Sequence, residues 1–289
     1  MIGNTSLSDV LAHKLPVHDE ERHREEFLAL IAIFEKLLYS IPNDMESWEV
    51  MEELMALRAD FAIHHALNGF GLEYDTALEL LRTAEDGLTE IDKAKRNVVV
   101  AAIDNLVDFA VAEEYQMALE LPEIEEELEE EELEDIMALF AKYNDRYALI
   151  ENQDAEYAMI IAAQLIAVSN NTVLTYMTQG DERVRPWHLQ YEGYSAPKSS
   201  FPAWLIPPIE HACRCYLVED SVTGQLQDVQ GAVIRVPEIP EWFNPTFKES
   251  VALGGRIFSD EHPYFQIQDE HQQTLQSIAD RIKSKYWNG

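Results

Sequence analysis

The chain has 289 residues, 47% of them hydrophobic, and a formal net charge of −33. That length and apolar content exclude a disordered chain and allow a sizeable core, expected as two domains. The acidity argues against sequence-independent nucleic-acid binding through a basic groove. The only cysteines, Cys213 and Cys215, are too close for an easy mutual disulfide, so a reducing compartment is expected. Met1 to Leu15 lacks the continuous apolar core of a signal peptide. Val98 to Ala112, interrupted by Asp104 and Asp108, is too short and too charged to span a membrane, so no membrane partner is expected.

From the N-terminal side the pattern is helical. Glu20 to Ile41 carries Phe27, Leu30, Ile31, Phe34, Leu37 and Leu38 at helical spacing. Pro42-Asn43-Asp44 breaks it, with Asn43 or Asp44 as the next N-cap. Glu46 to Asn68 places Trp48, Met51, Leu54, Leu57 and Phe61 on one face and is expected to end at Gly69 and Gly71. Within it, His64 and His65 are adjacent, cannot turn both rings to one ion, and read as a partly exposed pair. Asp75 to Ala84 and Thr89 to Leu119 are the next two helices.

Pro122 opens a new segment. The run Leu121 to Asp135 holds ten carboxylates and no basic residue. Leu121 to Phe140 is therefore expected to be an exposed face or a docking arm rather than core, with Ile124, Leu128, Ile136 and Phe140 near one stripe. Asp154 to Val168 is apolar almost all round and is expected to be buried on several sides. After Ser169-Asn170-Asn171 prolines become frequent, and short strands are expected at Cys215 to Val218 and Ala232 to Val236. Asp269 to Tyr286 is a closing amphipathic helix with Leu275, Ile278 and Ile282 inward. The fold class read from this order is a mainly α N-terminal region followed by a small α+β C-terminal domain. The expected division is 1–150, with an acidic helix over 121–140, and 151–289.

Chemistry concentrates between residues 180 and 220. His188, His211, Cys213 and Cys215 are the donor types of a tetrahedral N/S zinc site. Alternate positions 211, 213 and 215 share one face of an extended segment, which permits convergence without requiring it. Two other readings stay open: the cysteines as small buried hydrophobes, or a thiol dyad with a histidine base and Arg214 favouring the thiolate. Asp181, Arg183 and Arg185 suggest a salt-bridged turn, or alternatively contacts to a partner or to DNA phosphate. No phosphate-cradling loop, zincin motif or nucleophile elbow is present, and no catalytic residue is assigned.

At these residues the chain resembles the minor head protein family of tailed bacteriophages, the head morphogenesis family typified by protein F of phage Mu. The resemblance is carried by Asp181-Glu182-Arg183-Val184, His188 at a ligand-like position, and the loop glycine Gly193. It closes with Pro207-Pro208-Ile209-Glu210-His211-Ala212-Cys213-Arg214-Cys215. FKESVALGGRIFSDEHPYF, residues 247–265, is similar to the family's C-terminal segment. Where members have C-x-x-C near the turn, this chain has Trp187-His188. The resemblance covers about residues 150 to 268. It implies a structural component of the virion head, present in few copies, that contacts the portal and other capsid proteins near packaged DNA and is made in the host cytoplasm. A metal- or thiol-dependent enzyme of nuclease or toxin type, and an acidic adaptor, are the alternatives. Pro207-Pro208 is expected to fix an extended approach that brings His211 and the cysteines against the Asp181 to His188 turn.

Overall fold

Thr89 accepts a hydrogen bond from the Asp92 N–H and returns its hydroxyl to the Asp92 carboxylate, a reciprocal cap that starts a 31-residue helix. In the computed structural model, which describes residues 19–40, 44–122, 130–220 and 237–288, the helices before the sheet are α1 (Glu20–Ser40), α2 (Asp44–Phe70), α3 (Tyr74–Arg82), α4 (Glu90–Glu120), α5 (Glu130–Ala141) and α6 (Ala148–Ala167). A single π-turn, Lys142–Tyr147, joins α5 to α6. Strand β1 (Val173–Met177), short helix α7 (Pro186–Leu189), β2 (Ser195–Pro197), β3 (Tyr216–Asp220) and helix α8 (Asp269–Asn288) follow. The architecture is mainly helical, with a small antiparallel sheet of order β2-β1-β3 toward the C-terminal side.

Helix α2 is central, packing on α1, α4 and α6, while α8 lies against α4 and α3. The crossing of α2 and α6 is close because residue 69 is glycine: a Cβ there would sit 2.1 Å from the Glu156 carbonyl oxygen. Gly69 therefore belongs to the last turn of α2 and not to its end, where the sequence pattern placed it. One buried cluster runs from Leu30 through Leu165 to Phe258 and Tyr286. The expected division near residue 150 falls inside the helical run 130–167, and this cluster occupies both sides of it.

The acidic segment corrects one expectation. Glu131, Glu132, Leu133, Glu134 and Asp135 are exposed, but Ile136 and Phe140 are fully buried. One turn apart, they share a stripe that packs inward, and Phe140 stacks on Phe34 of α1 with ring centroids 4.4 Å apart. The end of this helix is core, and its partner is the same chain. Ile124, Leu128, the break at 42–43 and the strand expected at 232–236 lie outside the described residues.

A polar layer crosses the helices. Arg58 of α2 donates Nη2 to Glu151 (2.9 Å) and Nη1 to Asn152 (2.8 Å), and its Nε lies 2.9 Å from Glu113 without hydrogen-bond alignment. Glu114, also fully buried, accepts from Asn144 in the π-turn at 3.3 Å. His64 and His65 are both partly exposed, as expected, but His65 is much the less so. Its side chain is mostly buried between Glu26 (3.1 Å) and Glu156 (3.5 Å), whereas His64 stacks on Tyr74 at the surface.

Candidate metal centre

The sheet and the loops around it assemble the site. Tyr176 pairs with Leu217 across β1 and β3, and Cys215 lies just before β3 on the face that Tyr176 and Leu217 share. Gly193, at φ +82, turns the chain back so that its N–H reaches the Tyr176 carbonyl at 2.8 Å. The C-terminal end of α6 is closed by Lys198, which donates to the carbonyls of Leu165 (2.5 Å) and Val168 (3.1 Å). Tyr157 of α6 donates its hydroxyl to the Cys215 carbonyl.

The two ends of the central segment meet, as the sequence reading expects. His188 Nδ1 lies 3.3 Å from Cys215 Sγ and 4.0 Å from Cys213 Sγ. One donor atom from each of the three lies within 4.8 Å of the others, and all three side chains are buried. His188 Nε2 is 3.1 Å from Glu210 Oε2. Metal-ligating histidines commonly have such a carboxylate behind them, because it fixes the ring and its tautomer. Two soft sulfurs and an imidazole nitrogen so arranged could hold a metal ion.

His211 does not join them. Its Nδ1 turns to Asp154 of α6 at 2.9 Å, while Asp154 Oδ1 accepts the Ala212 N–H at 2.8 Å. The clamp holds Ala212 at φ 55, in the left-handed region, and this turn rotates residue 211 off the face shared by 213 and 215. The expected ligand set of four is therefore three, with His211 serving the fold. Burial would lower the His211 pKa, but the bond to Asp154 outweighs it and raises it. Burial raises the Asp154 carboxyl, with the Glu151 charge adding to it and His211 and the Ala212 N–H opposing.

The salt-bridged turn is also rearranged. Asp181 pairs with neither Arg183 nor Arg185 side chain; it takes a two-pronged contact from Arg214, at 2.8 and 2.9 Å. Its Oδ1 also caps the Arg183 N–H. Arg185 donates to the His211 carbonyl (2.8 Å) and faces Glu210 (3.3 Å). These bonds tie the turn to the Pro207–Cys215 close. The Pro207-Pro208 bond is cis, where an extended approach was expected.

The two thiols differ. Burial pushes Cys213 well up, whereas a hydrogen bond from Cys213 holds Cys215 below its ordinary value, helped by the Tyr176 phenol and by Arg185 and Arg214. The Tyr176 hydroxyl is fully buried and makes no well-aligned hydrogen bond.

Sequence reasoning missed Glu210, Asp154 and Tyr176. Glu210 had a visible signal, being the acidic residue beside His211 within the close. Asp154 and Tyr176 come from distant elements and carried none. No protein-family model matches the chain, no curated protein matches it, and no solved structure matches it.

Proposed function

We propose that this chain is a non-catalytic structural protein of a tailed-phage head, docked on the portal and other capsid proteins, with zinc at His188, Cys213 and Cys215 as a staple of its central loops. The observation that carries the reading is that the residues of the family-like motif are spent on one another. Asp181 holds Arg214, Arg185 holds the main chain at His211, and His188 faces Cys215. Such internal pairing builds a rigid display surface. The donor side chains are at most 4% exposed, which suits a structural ion better than a site that must admit substrate. The distributed negative charge lets the protein sit near packaged DNA without being trapped on it.

The decisive experiment is co-expression with the cognate portal. A stable complex, and the protein in purified virions, are the expected results; a chain absent from virions and unable to bind portal or capsid overturns the reading. Metal analysis is the second arm. A bound zinc lost together with thermal stability in Cys215→Ser supports the staple.

One observation favours a metal-dependent enzyme instead: three protein ligands leave a fourth coordination position, the pattern of catalytic zinc. That reading requires turnover that disappears in Cys213→Ser while the melting temperature holds.

A further inference from the structure

Two half-exposed indoles stand side by side over the candidate metal centre. Trp187 is 41% exposed and Trp242 42%, with ring centroids 6.2 Å apart and planes at 52°. Tyr191 extends the pair, 6.3 Å from Trp242. Trp204 and Phe243 are buried and form the floor, meeting each other edge-on at 5.4 Å. Trp187 is not a loose side chain. Its Nε1 donates to Glu210 Oε2 at 3.0 Å, the same oxygen that faces His188 Nε2. The exposure of its ring is therefore built into the turn.

Paired, anchored and half-exposed aromatics are the composition of interface hot spots, and they are uncommon on surfaces that meet only water. Charge selects the occupant. The stretches that form this face, residues 187–194 and 237–244, contain Glu192, Glu238 and Glu241 and no lysine or arginine. All three glutamates are exposed. The nearby Arg185 is already engaged by Glu210 and the His211 carbonyl. An aromatic face inside an acidic rim attracts a cation. Guanidinium suits it best, because it is planar, weakly hydrated and stacks on indole while its edge meets carboxylates. A nucleic acid would meet the same carboxylates with its phosphates and be repelled.

We propose that the Trp187–Trp242 face is a docking site for an arginine-bearing basic segment of a protein partner. This holds independently of whether that partner is a portal. The indoles supply the contact and the glutamates the orientation.

The test uses the full chain and a short synthetic peptide alternating arginine with glycine, followed by tryptophan fluorescence and calorimetry at near-physiological salt. Binding is expected, with a peptide carrying lysine for arginine weaker and one carrying glutamate inert. The variant Trp187→Ala/Trp242→Ala keeps every charge, so general attraction to an acidic protein survives in it while stacking does not. It is expected to bind the arginine peptide about tenfold more weakly. Trp242→Phe, which keeps an aromatic face, is expected to retain most of the binding and controls for damage to the loop. Equal affinity of the double variant and the native chain overturns the proposal in favour of charge alone. No binding to the native chain overturns it outright. A concentration-dependent dimer abolished by the double substitution also overturns it, assigning the face to a second copy of this chain.

Discussion

Asn105, in the middle of α4, spends its whole side-chain amide on the turn at Phe258. Nδ2 donates to the Phe258 carbonyl at 2.9 Å, and Oδ1 accepts the N–H groups of Phe258 and Ile257, each at 2.9 Å. The residue is 1% exposed, so no water replaces a lost bond. Asn105→Ala would strand three buried main-chain groups and is expected to cost about 3 kcal/mol. Chemical denaturation of the variant checks it; a loss below about 1 kcal/mol would mean that the turn finds other partners.

The closeness of Gly69 to Glu156 gives a second expectation. Gly69→Ala improves helix propensity, which in an open helix stabilises by about 1 kcal/mol. Here the added methyl meets a main-chain oxygen at 2.1 Å, so α2 and α6 must move apart. The net effect is expected to be destabilising by more than about 2 kcal/mol, read as a lower melting temperature. A stabilised variant would contradict the packing.

Ala212 invites the opposite change. At φ 55 an L-residue is strained, whereas glycine is not. Ala212→Gly is expected to stabilise by a few tenths to about 1 kcal/mol, since relief of strain exceeds the added freedom of the unfolded chain. Asp154→Ala, which removes the clamp, is expected to cost roughly 3 kcal/mol by leaving the Ala212 N–H and His211 without their carboxylate. Asp181→Ala, which breaks the exposed pair with Arg214, is expected to cost clearly less. Equal losses from the two aspartate variants would overturn this ordering.

The polar layer sets a pH dependence. Burial raises Glu114 to about 7, with Arg58 opposing the rise and Glu151 adding to it, and burial drives Glu113 up as well. Arg58, Glu113, Glu151 and Asn144 are the polar groups facing Glu114. A carboxyl whose pKa is raised by folding holds a proton that the unfolded chain has released. Its contribution to stability is therefore complete below about pH 4.5 and is lost as the pH climbs to about 7. Glu114→Gln cannot titrate, so its stability relative to the native chain is expected to rise between pH 5 and pH 8 in urea titrations. A constant difference would show that Glu114 is ionised throughout.

The helices were legible in the sequence because their apolar spacing is local, and α1, α3, α4 and α8 lie where that spacing put them. The reading of Ile136 and Phe140 failed because ten neighbouring carboxylates masked a two-residue inward stripe. Strands β1 and β2 escaped notice because each is short and gains its meaning only from a partner: Leu174 pairs with Ala196 on one side and Glu219 on the other. At the candidate site the convergence of His188 with both cysteines was visible from residue type. The defection of His211 was not, because it depends on Asp154, on a helix far back in the chain, and on one left-handed residue.

The docking of α8 has a consequence for how the protein comes to be folded. Leu275, Ile278, Ala279, Ile282 and Tyr286 are buried, and Lys283 ties the helix to Asp104 and Asp108 of α4. The face of α4 that they cover is translated some 170 residues earlier. On the ribosome that face stays open until α8 has cleared the exit tunnel. A nascent chain stalled before residue 269 thus exposes an apolar stripe that a chaperone can bind.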